Sequence, residues 1–519
     1  MPSVNFKIVW PDGDVGVYYS PSTVIRDHLQ SGSYPQDGFR RLCTTALNAA
    51  SERVRQRFGY ACTAANAELE KISDKLDELQ ARHIHGPVQL AAMDTEGRNL
   101  GAGKPAHYSA MVIGAGQAGL AMSYQLKTAG IDHLVLEASG EIAHAWRHER
   151  WDSFCLVTPN WQCQLPGFPY QGDDPDGFMV KEDIIEYLES YYAFFKPPVV
   201  FHSPVTELKR EQGVYHIRSG ERRYTCDQVI ICCGGYHEPR IPPAADALPP
   251  TIKQIHSRDY RNQDQLPEGE VLVVGSAQSG SQIAEDLHLA GRQVHLCVGK
   301  APRVHRRYRG KDVVKWLDDM NYYATTIEEH PDGANAPHAT NHYVTGRDGG
   351  RDINLRIFAE QGMKLYGRLK QASRDSLSFH DDLAANLDHA DEVAARIAAS
   401  IETYIQQQGI DAPADDNLNS DYLPPEVTQL DLKDVNITSV VWATGFHLNY
   451  DWIQLPVLND EGFPLQKRGI SPEPGLYFLG LNWMHTWGSG RFYHVGQDAE
   501  FLARAIRKRH RSVGGAACV

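Results

Sequence analysis

The 519-residue sequence predicts an α/β protein with two Rossmann-like dinucleotide-binding domains and a small N-terminal α+β domain. Two stretches carry the prediction, residues 110–119 and 271–280, because each joins a short apolar run to closely spaced glycines. In this arrangement the apolar run forms a buried parallel strand, and the glycines let it turn into a helix whose N-terminus faces a pyrophosphate. The third observation is that residues 1–82 follow a different pattern, without such a corner.

The N-terminal pattern is typical of a hairpin followed by helices. Residues 4–10 and 15–19 are β-prone runs on either side of a Pro-Asp-Gly turn. Ser20-Pro21-Ser22 predicts the cap of a short helix, and residues 39–58 and 64–80 have helical periodicity. We expect an accessory domain over residues 1–82 and a linker over residues 83–107, which are rich in glycine, alanine and polar side chains.

The first glycine corner predicts an FAD site in a domain that begins with residues 108–270. The apolar run 110–113 leads into GAGQAG, and a second strand over 133–136 ends at an acidic residue about 20 positions later, where a carboxylate would bind a ribose hydroxyl. The predicted FAD contacts are Gly114, Gly116, Gln117, Ala118, Gly119, Glu137 and Ala138.

The second glycine corner predicts an NADPH site in a domain over residues 271–433. Ala277 replaces the middle glycine, but the helix N-terminus stays open to a pyrophosphate. No acid ends the next strand, and the arginines that follow suit a 2′-phosphate; the alternative is a solvated basic face. The predicted NADPH contacts are Gly275, Ser276, Gln278, Ser279, Gly280, Lys300, Arg303, Arg306 and Arg307.

Composition excludes several classes of protein. The net charge of −14 argues against nucleic acid or an anionic membrane as the main partner. No apolar run reaches the length of a membrane span, and the first residues do not resemble a signal peptide, so we expect a cytoplasmic protein. The nine cysteines include no CxxC, which disfavours a disulfide reductase and a metal site. A homo-oligomer is compatible with the sequence.

From about residue 108 to residue 507 the sequence resembles the single-component flavin-dependent monooxygenases, which include indole-pyruvate and Baeyer-Villiger enzymes. The resemblance rests on GAGQAG, AWRHERWDSFCLVTPNW, GSAQSG, APRVHRRYRGKD, ATGF, GLYFLGLNW and GQDA. It implies FAD, NADPH and O2, with one oxygen atom delivered to a small-molecule substrate through a flavin C4a-hydroperoxide. The N-terminal residues resemble a nitrogen-starvation family through WPDG, YSPS and ASERVRQRFGYAC.

The resemblance also implies site residues. Asn160 and Trp483 are the candidate catalytic residues; family members often carry an asparagine where Val157 stands, so either Asn160 substitutes or bound NADP stabilises the oxygenated flavin. ATGF is expected to return the chain to the FAD domain, over residues 434–519. The further candidate cofactor contacts are Trp146, Arg147, Trp151, Thr158, Ala443, Thr444, Gly445, Gly480, Leu481 and Asp498. For Trp146 and Trp151 the alternative is a place in the protein core.

Residues 311–433 form an insertion that we interpret as a substrate lid, since the stretch is too long for a plain connection. Its candidate substrate contacts are His342, Arg347, Asp348 and Arg351; the alternative is a solvated loop. The expected reaction is N-oxygenation of a small nitrogen-containing metabolite. The alternatives are oxygenation of a carbonyl substrate, among Trp151, Trp161 and Trp483, and a flavin-binding NADPH oxidase or redox sensor.

Overall fold

The computed structural model describes residues 4–58, 63–94, 106–331, 333–338 and 340–515. The end of the ASERVRQRFGYAC motif, part of the predicted linker and the last residues of the return segment lie outside these ranges. The chain divides into two compact units, one formed by Met1–Ala106 with Arg218–Tyr224 and the other by His107–Ile217 with Thr225–Val519. Among the described residues, no helix combines the length and the apolar character that crossing a bilayer requires.

The N-terminal unit is the predicted α+β domain, with a four-stranded antiparallel sheet. The hairpin and the three helical segments form as predicted, and the Ser22 side chain caps the short helix by accepting a hydrogen bond from the Val24 amide. The linker prediction is wrong for Val88–Asp94, because this segment is a strand between two others of the sheet. In sheet order the strands are Val15–Ser20, Val4–Val9, Val88–Asp94 and Gly32–Tyr34, and the helices are Thr23–Asp27 (3-10), Gln36–Phe58 and Thr63–Ala81.

The first Rossmann-like domain contains a five-stranded parallel sheet. The strand before the first glycine corner lies at its centre, so the crevice above the carboxyl ends of the central strands is the expected ligand position. In sheet order the strands are Val199–Val200, His133–Leu136, Ala110–Ile113, Val229–Ile231 and Leu476–Phe478, all parallel. Its helices are Gln117–Thr128, His144–His148, Lys181–Phe195 and Val495–Gly515.

The second Rossmann-like domain has the same arrangement. In sheet order its parallel strands are Lys253–His256, Ile437–Trp442, Glu270–Val274, Val294–Cys297 and Lys364–Tyr366, with helices Gln278–Leu289, Leu355–Glu360 and Leu383–Gln408. Two predicted domain boundaries are therefore wrong. Lys253–His256 and Ile437–Trp442 belong to this sheet, although the sequence placed them in the FAD domain. The chain returns to the first sheet only at Leu476–Phe478.

Much of the insertion completes the second domain, which contradicts the lid interpretation for that part. Lys364–Tyr366 is an edge strand of the sheet, and Leu383, Leu387 and Ala390 of the long helix are buried in the core of the domain. An antiparallel sheet follows, formed by Leu369–Ala372, Ser376–Phe379 and Gln429–Asp431. The part before residue 354, which includes the helix Val313–Asp319, lies outside these elements, and so does the coil over residues 410–427.

The remaining elements are short. Glu238–Pro239 pairs with Phe446–His447, so the two segments that cross between the domains are hydrogen-bonded to each other. The other strands are Ala106–Tyr108, Gln164–Leu165, Phe168–Pro169, Glu207–Glu211, Val214–Ser219, Arg222–Cys226, Arg307–Tyr308 and Lys311–Asp312. The other 3-10 helices are Asn160–Gln162, Pro243–Ala247, Gln263–Gln265, Tyr322–Ala324, Gly333–His338 and Arg347–Gly349.

Candidate dinucleotide and substrate sites

The first glycine corner has the geometry that a bound pyrophosphate needs. Gly114 has φ +100°, and a Cβ at Gly119 would lie 1.8 Å from the Gly114 carbonyl oxygen, so both positions require glycine for the chain itself. Gly116 differs, because a Cβ there would meet no described protein atom within 4 Å. The space in front of Gly116, at the N-terminus of the helix Gln117–Thr128, therefore fits a phosphate group.

Glu137 lies beside this corner, as the sequence predicts. Its Oε2 accepts the Ala115 amide hydrogen at 2.7 Å, and its Oε1 accepts that of Ser139 at 2.8 Å. Each carboxylate oxygen has a second lone pair, so the side chain can hold the loop and still accept a ribose hydroxyl. Ala138 follows it on the exposed side.

The C-terminal loop closes over the N-terminus of the same helix. The Gln117 side-chain amide donates to the Gly490 carbonyl at 2.6 Å, and a Cβ at Gly480 would lie 2.7 Å from the Ala118 Cβ. A Cβ at Gly490 would in turn lie 2.8 Å from the Gly480 carbonyl oxygen. The predicted Gly480 and Leu481 thus lie at the first corner. Gly490 was missed, although the sequence GSG around it suggests a close backbone approach.

Asp498 supplies the test of whether this site fits a flavin. The carboxyl group lies in the first turn of the helix Val495–Gly515 and is buried, and its Oδ2 has no hydrogen-bond partner among the residues that the structure describes. Burial raises its pKa, against the hydrogen bond from Ser489 and the positive charge near it. A buried acceptor without a partner costs about 1–3 kcal/mol, and a ligand hydroxyl would remove that cost. A polyhydroxylated group such as the ribityl chain of FAD fits this requirement.

The second corner repeats the backbone of the first. Gly275 has φ +105°, and a Cβ at Gly280 would lie 1.9 Å from the Gly275 carbonyl oxygen. Ser276 is buried, and its Oγ accepts the Gly299 amide hydrogen at 3.0 Å, which fixes the end of the neighbouring strand. The Gln278 side chain donates to the Val344 carbonyl at 2.5 Å, while the adjacent Ser279 is half-buried at the helix start.

The ATGF motif, residues 443–446, lies at the second glycine corner, so its predicted place in the FAD domain is wrong. A Cβ at Gly275 would lie 2.6 Å from the Ala443 carbonyl oxygen, and the Ala443 amide donates to Val274 at 2.9 Å. The Gly445 carbonyl accepts from Nε2 of His256 at 3.0 Å and from the Arg240 amide at 2.9 Å. Thr444 donates to the Arg240 carbonyl. The physical reason is strand pairing, since Ile437–Trp442 extends the second sheet.

The arginines predicted to bind the 2′-phosphate are mostly engaged by the protein. Arg306 is 1% exposed, donates to Asp312 at 2.7 Å and to the Val157 carbonyl at 2.7 Å, and stacks on Phe178. Its predicted role as a phosphate contact is wrong, because a guanidinium enclosed in this way cannot reach a surface ligand. Arg303 donates to Asp391 at 2.6 Å, and the exposed Arg307 donates to the Gly349 carbonyl at 3.1 Å.

Another group of basic side chains gathers at the end of the strand Val294–Cys297. We name the set Lys300, His342, His389 and Arg396 the basic cluster. Burial and then the charge of Arg396 lower the pKa of His342 to about 4. Burial and then the charges of Lys300 and Arg396 lower the pKa of His389. Asn386 donates to the Val298 carbonyl at 3.0 Å and so holds the helix bearing His389 and Arg396 against the strand end.

The predicted catalytic residues have different surroundings. The side chain of Asn160 donates to the Asp174 carbonyl at 2.9 Å and accepts the Met179 amide hydrogen at 2.7 Å, so it holds its own loop together. Trp483 is buried, has φ +52° and lies 4.7 Å from the ring of His330 between centroids. These contacts account for both residues as structural groups, and their catalytic roles stay predictions.

Of the two tryptophans predicted to contact a cofactor, one lies in the protein core and the other is half-buried. Trp151 is buried in the core of the second Rossmann-like domain and packs on Phe154, which contradicts its role as a cofactor wall. Trp146 is half-buried and stacks on Phe492, and Thr158 is also half-buried. Arg147 pairs with Glu141 at 3.0 Å and with Glu189 at 2.5 Å, so its contact with a cofactor stays a prediction.

An aromatic cluster, of which the sequence predicted only Trp161, lies beside Asn160. We name the set Trp161, Tyr323, Trp487 and Tyr493 the aromatic cluster; ring centroids are 4.5 Å apart for Tyr323 and Trp487 and 5.7 Å apart for Trp161 and Tyr493. The indole Nε1 of Trp161 is buried and has no hydrogen-bond partner within the described part of the chain. Distant segments supply these rings, so no local pattern could have predicted the cluster.

The arginines of the expected lid are paired with acids on the helix Gln278–Leu289. Arg351 donates to Glu285 at 2.9 Å, and Arg347 donates to Asp286 at 2.8 Å. Asp286 also accepts from the Tyr260 hydroxyl at 2.7 Å. The predicted substrate contacts of Arg347 and Arg351 are therefore wrong, because acids of the protein hold both guanidinium groups. The sequence did not predict these ion pairs, because Glu285 and Asp286 lie about 60 positions before the arginines.

Comparisons with known families divide the chain in the same way. The family described as nitrogen starvation-induced protein NitG matches residues 5–93, and the pyridine nucleotide-disulphide oxidoreductase family matches residues 111–325. A CzcO-like oxidoreductase of Geobacillus kaustophilus is 30% identical over 401 residues, which cover 76% of this chain and 97% of the relative. The chain belongs to the CzcO-like oxidoreductases.

Other similar proteins connect this CzcO-like oxidoreductase with flavin monooxygenases. An indole-3-pyruvate monooxygenase of Arabidopsis thaliana, YUCCA6, is 31% identical over 202 residues, covering 37% of this chain and 48% of that protein. The solved structure of a flavin-containing monooxygenase from Stenotrophomonas maltophilia has the same fold, with a TM-score of 0.55, 16% identity and coverage of 78% of this chain and 99% of the other.

These comparisons confirm the predicted fold class and the resemblance to a flavin monooxygenase fused to a nitrogen-starvation domain. The protein is therefore an oxidoreductase, and its similar proteins include flavin-dependent monooxygenases. The cofactors that the sequence predicts are FAD and NADPH. The open space at Gly116 and the unpartnered oxygen of Asp498 fit the first of them.

Proposed function

We propose that this CzcO-like oxidoreductase is an FAD-dependent, NADPH-consuming monooxygenase that oxygenates a small nitrogen-containing metabolite. The observation that carries the enzymatic part is the pair of glycine corners at the centres of two parallel sheets, the first beside the buried acceptor of Asp498. The support for the nitrogen-containing substrate is the N-terminal unit, whose sequence matches a nitrogen starvation-induced family.

The side chains of this protein have binding and positioning roles in the proposed reaction. FAD supplies the redox and oxygen chemistry when bound. The amides at Gly116 would hold its pyrophosphate, Glu137 would accept from its ribose, and Asp498 would accept from a hydroxyl of the ribityl chain. The contacts of Gln117 with Gly490 and of Gly480 with Ala118 close the C-terminal loop over the helix, which excludes water from that end of the cofactor.

We assign the substrate to the aromatic cluster. It contains a buried donor that needs an acceptor, since Nε1 of Trp161 has no partner among the described residues. An oxygen atom of the substrate, such as that of a carboxylate, is such an acceptor and leaves the nitrogen lone pair free to be oxygenated. The rings of Tyr323, Trp487 and Tyr493 offer faces on which a small substrate can stack. Because a carbonyl oxygen could accept from the same indole, oxygenation of a keto acid or ketone is the competing reaction.

A product-based panel tests the proposal. The purified protein is supplied with NADPH and with amines, amino acids, keto acids and ketones, and the oxygenated product is quantified against NADPH consumed. We expect coupled N-oxygenation with at least one nitrogen-containing substrate. Turnover confined to carbonyl substrates would discard the nitrogen-containing substrate. NADPH consumption that yields only hydrogen peroxide across the panel would favour an oxidase or a redox sensor.

A further inference from the structure

A group of metal-binding side chains lies on the short helix that follows the second strand of the first Rossmann-like domain. Glu141 precedes the helix, and His144 and His148 are its first and last residues. Residues four apart lie on the same side of a helix, so the two imidazoles face each other with ring centroids 4.6 Å apart. The ligand atoms of all three residues lie within 4.8 Å of one another.

The individual distances suit a shared ion. Oε1 of Glu141 is 2.6 Å from Nε2 of His148 and 3.6 Å from Nδ1 of His144. Zinc binds imidazole nitrogen at about 2.0–2.1 Å and carboxylate oxygen at about 2.0–2.2 Å, so tetrahedral ligand atoms lie roughly 3.4 Å apart. Small side-chain rotations would bring the three atoms to that spacing.

The carboxylate is oriented by a second contact. Oε2 of Glu141 forms an ion pair with Nε of Arg147 at 3.0 Å, which leaves Oε1 for the two imidazoles. Arg147 is itself held by Glu189 at 2.5 Å. Such outer contacts fix the geometry of ligating side chains in metal sites.

We propose that Glu141, His144 and His148 form a binding site for a divalent transition metal of the zinc, cobalt and nickel group. Two imidazoles and one carboxylate select borderline metals over magnesium or calcium, which prefer sites built from oxygen. Three protein ligands leave a coordination position for an exogenous ligand. The sequence predicted no metal site, because that prediction rested on cysteine spacing and not on the two histidines four residues apart. The proposal is independent of the proposed function.

Zinc binding to the untagged full-length flavoprotein tests the site. Isothermal titration with zinc chloride, supported by equilibrium dialysis and metal analysis, is compared for the wild type and for His144→Ala, His148→Ala and Glu141→Gln. His447→Ala is the matched control, since His447 is exposed and outside the group. We expect each histidine variant to bind one zinc ion fewer or at least about tenfold more weakly. We expect the control to bind as the wild type does.

Two further measurements keep the test decisive. Far-ultraviolet circular dichroism and flavin content show that the variants are folded, and zinc should raise the melting temperature of the wild type and the control but not that of the histidine variants. Equal zinc stoichiometry and affinity in the wild type and both histidine variants would overturn the proposal, as would the absence of saturable zinc binding by the wild type.

Discussion

Gly116 and Ala277 have the same backbone conformation, with φ −69° at both and ψ −174° and −175°, at the N-termini of the two Rossmann helices. The two corners therefore differ mainly by one methyl group. At Gly116 a side chain would project into the space assigned to the pyrophosphate of FAD. At Ala277 the methyl group is already present, so the second dinucleotide must bind slightly farther from the helix.

The first prediction follows from this difference. Gly116→Val should give apoprotein, because a branched side chain would fill the space in front of the helix N-terminus, whereas Ala277→Gly should keep its flavin. The ratio of bound flavin to protein after purification measures the effect, with circular dichroism as the control for folding. Full flavin occupancy in Gly116→Val would remove the FAD assignment.

The second prediction concerns Asp498. Asp498→Asn keeps the shape of the side chain but removes the charged acceptor, so flavin binding should weaken by about 1.5–3 kcal/mol, or about tenfold to a hundredfold. Dialysis against potassium bromide followed by flavin titration gives the affinity. An unchanged affinity would mean that no flavin hydroxyl reaches Asp498.

Asp498→Asn should weaken flavin binding but raise the stability of the apoprotein. A raised pKa means that the folded chain holds the proton of Asp498 more tightly than the unfolded chain, so the side chain lowers stability as the pH rises above its ordinary value of 3.8. Apoprotein of Asp498→Asn should therefore be more stable than wild-type apoprotein at pH 7, and the difference should shrink on acidification. Urea unfolding at several pH values checks this, and a pH-independent difference would contradict it.

The third prediction separates coenzyme specificity from stability. Replacing Lys300 and Arg396 of the basic cluster together by glutamine should raise the KM for NADPH at least about tenfold and leave the KM for NADH unchanged, since charge-assisted phosphate bonds contribute about 1.5–3 kcal/mol each. Arg306→Gln should instead lower the free energy of unfolding by about 3–5 kcal/mol, because it breaks a buried ion pair. If Arg306→Gln keeps its stability and selectively loses affinity for NADPH, Arg306 and not the basic cluster binds the 2′-phosphate.

The fourth prediction tests the role of Arg351. Arg351→Gln should lower the free energy of unfolding by roughly 1–3 kcal/mol, because it removes the cationic partner of Glu285, which is 2% exposed. Arg374→Gln, at an exposed position, is the matched control. Chemical denaturation gives both values. A change in substrate KM without loss of stability would restore Arg351 as a substrate contact.

Local patterns predicted the parts of this molecule that depend on local structure. The glycine corners, the flanking strands and the position of Glu137 follow from residues close together in sequence. The sequence could not predict that Ile437–Trp442 pairs with Glu270–Val274, because both sheets accept a short apolar strand. The charge pattern also could not show that Arg306 is buried against Asp312, since a basic run looks the same whether it faces a ligand or an acid.

The measurement that tests the central claim most directly is rapid mixing of oxygen with protein that NADPH has reduced without oxygen. If the protein is a monooxygenase, absorbance should show a species distinct from both reduced and oxidised flavin that decays faster when substrate is added, and isotopically labelled oxygen should appear in the product. Direct return to oxidised flavin, with hydrogen peroxide as the sole oxygen product at every substrate tested, would contradict the account.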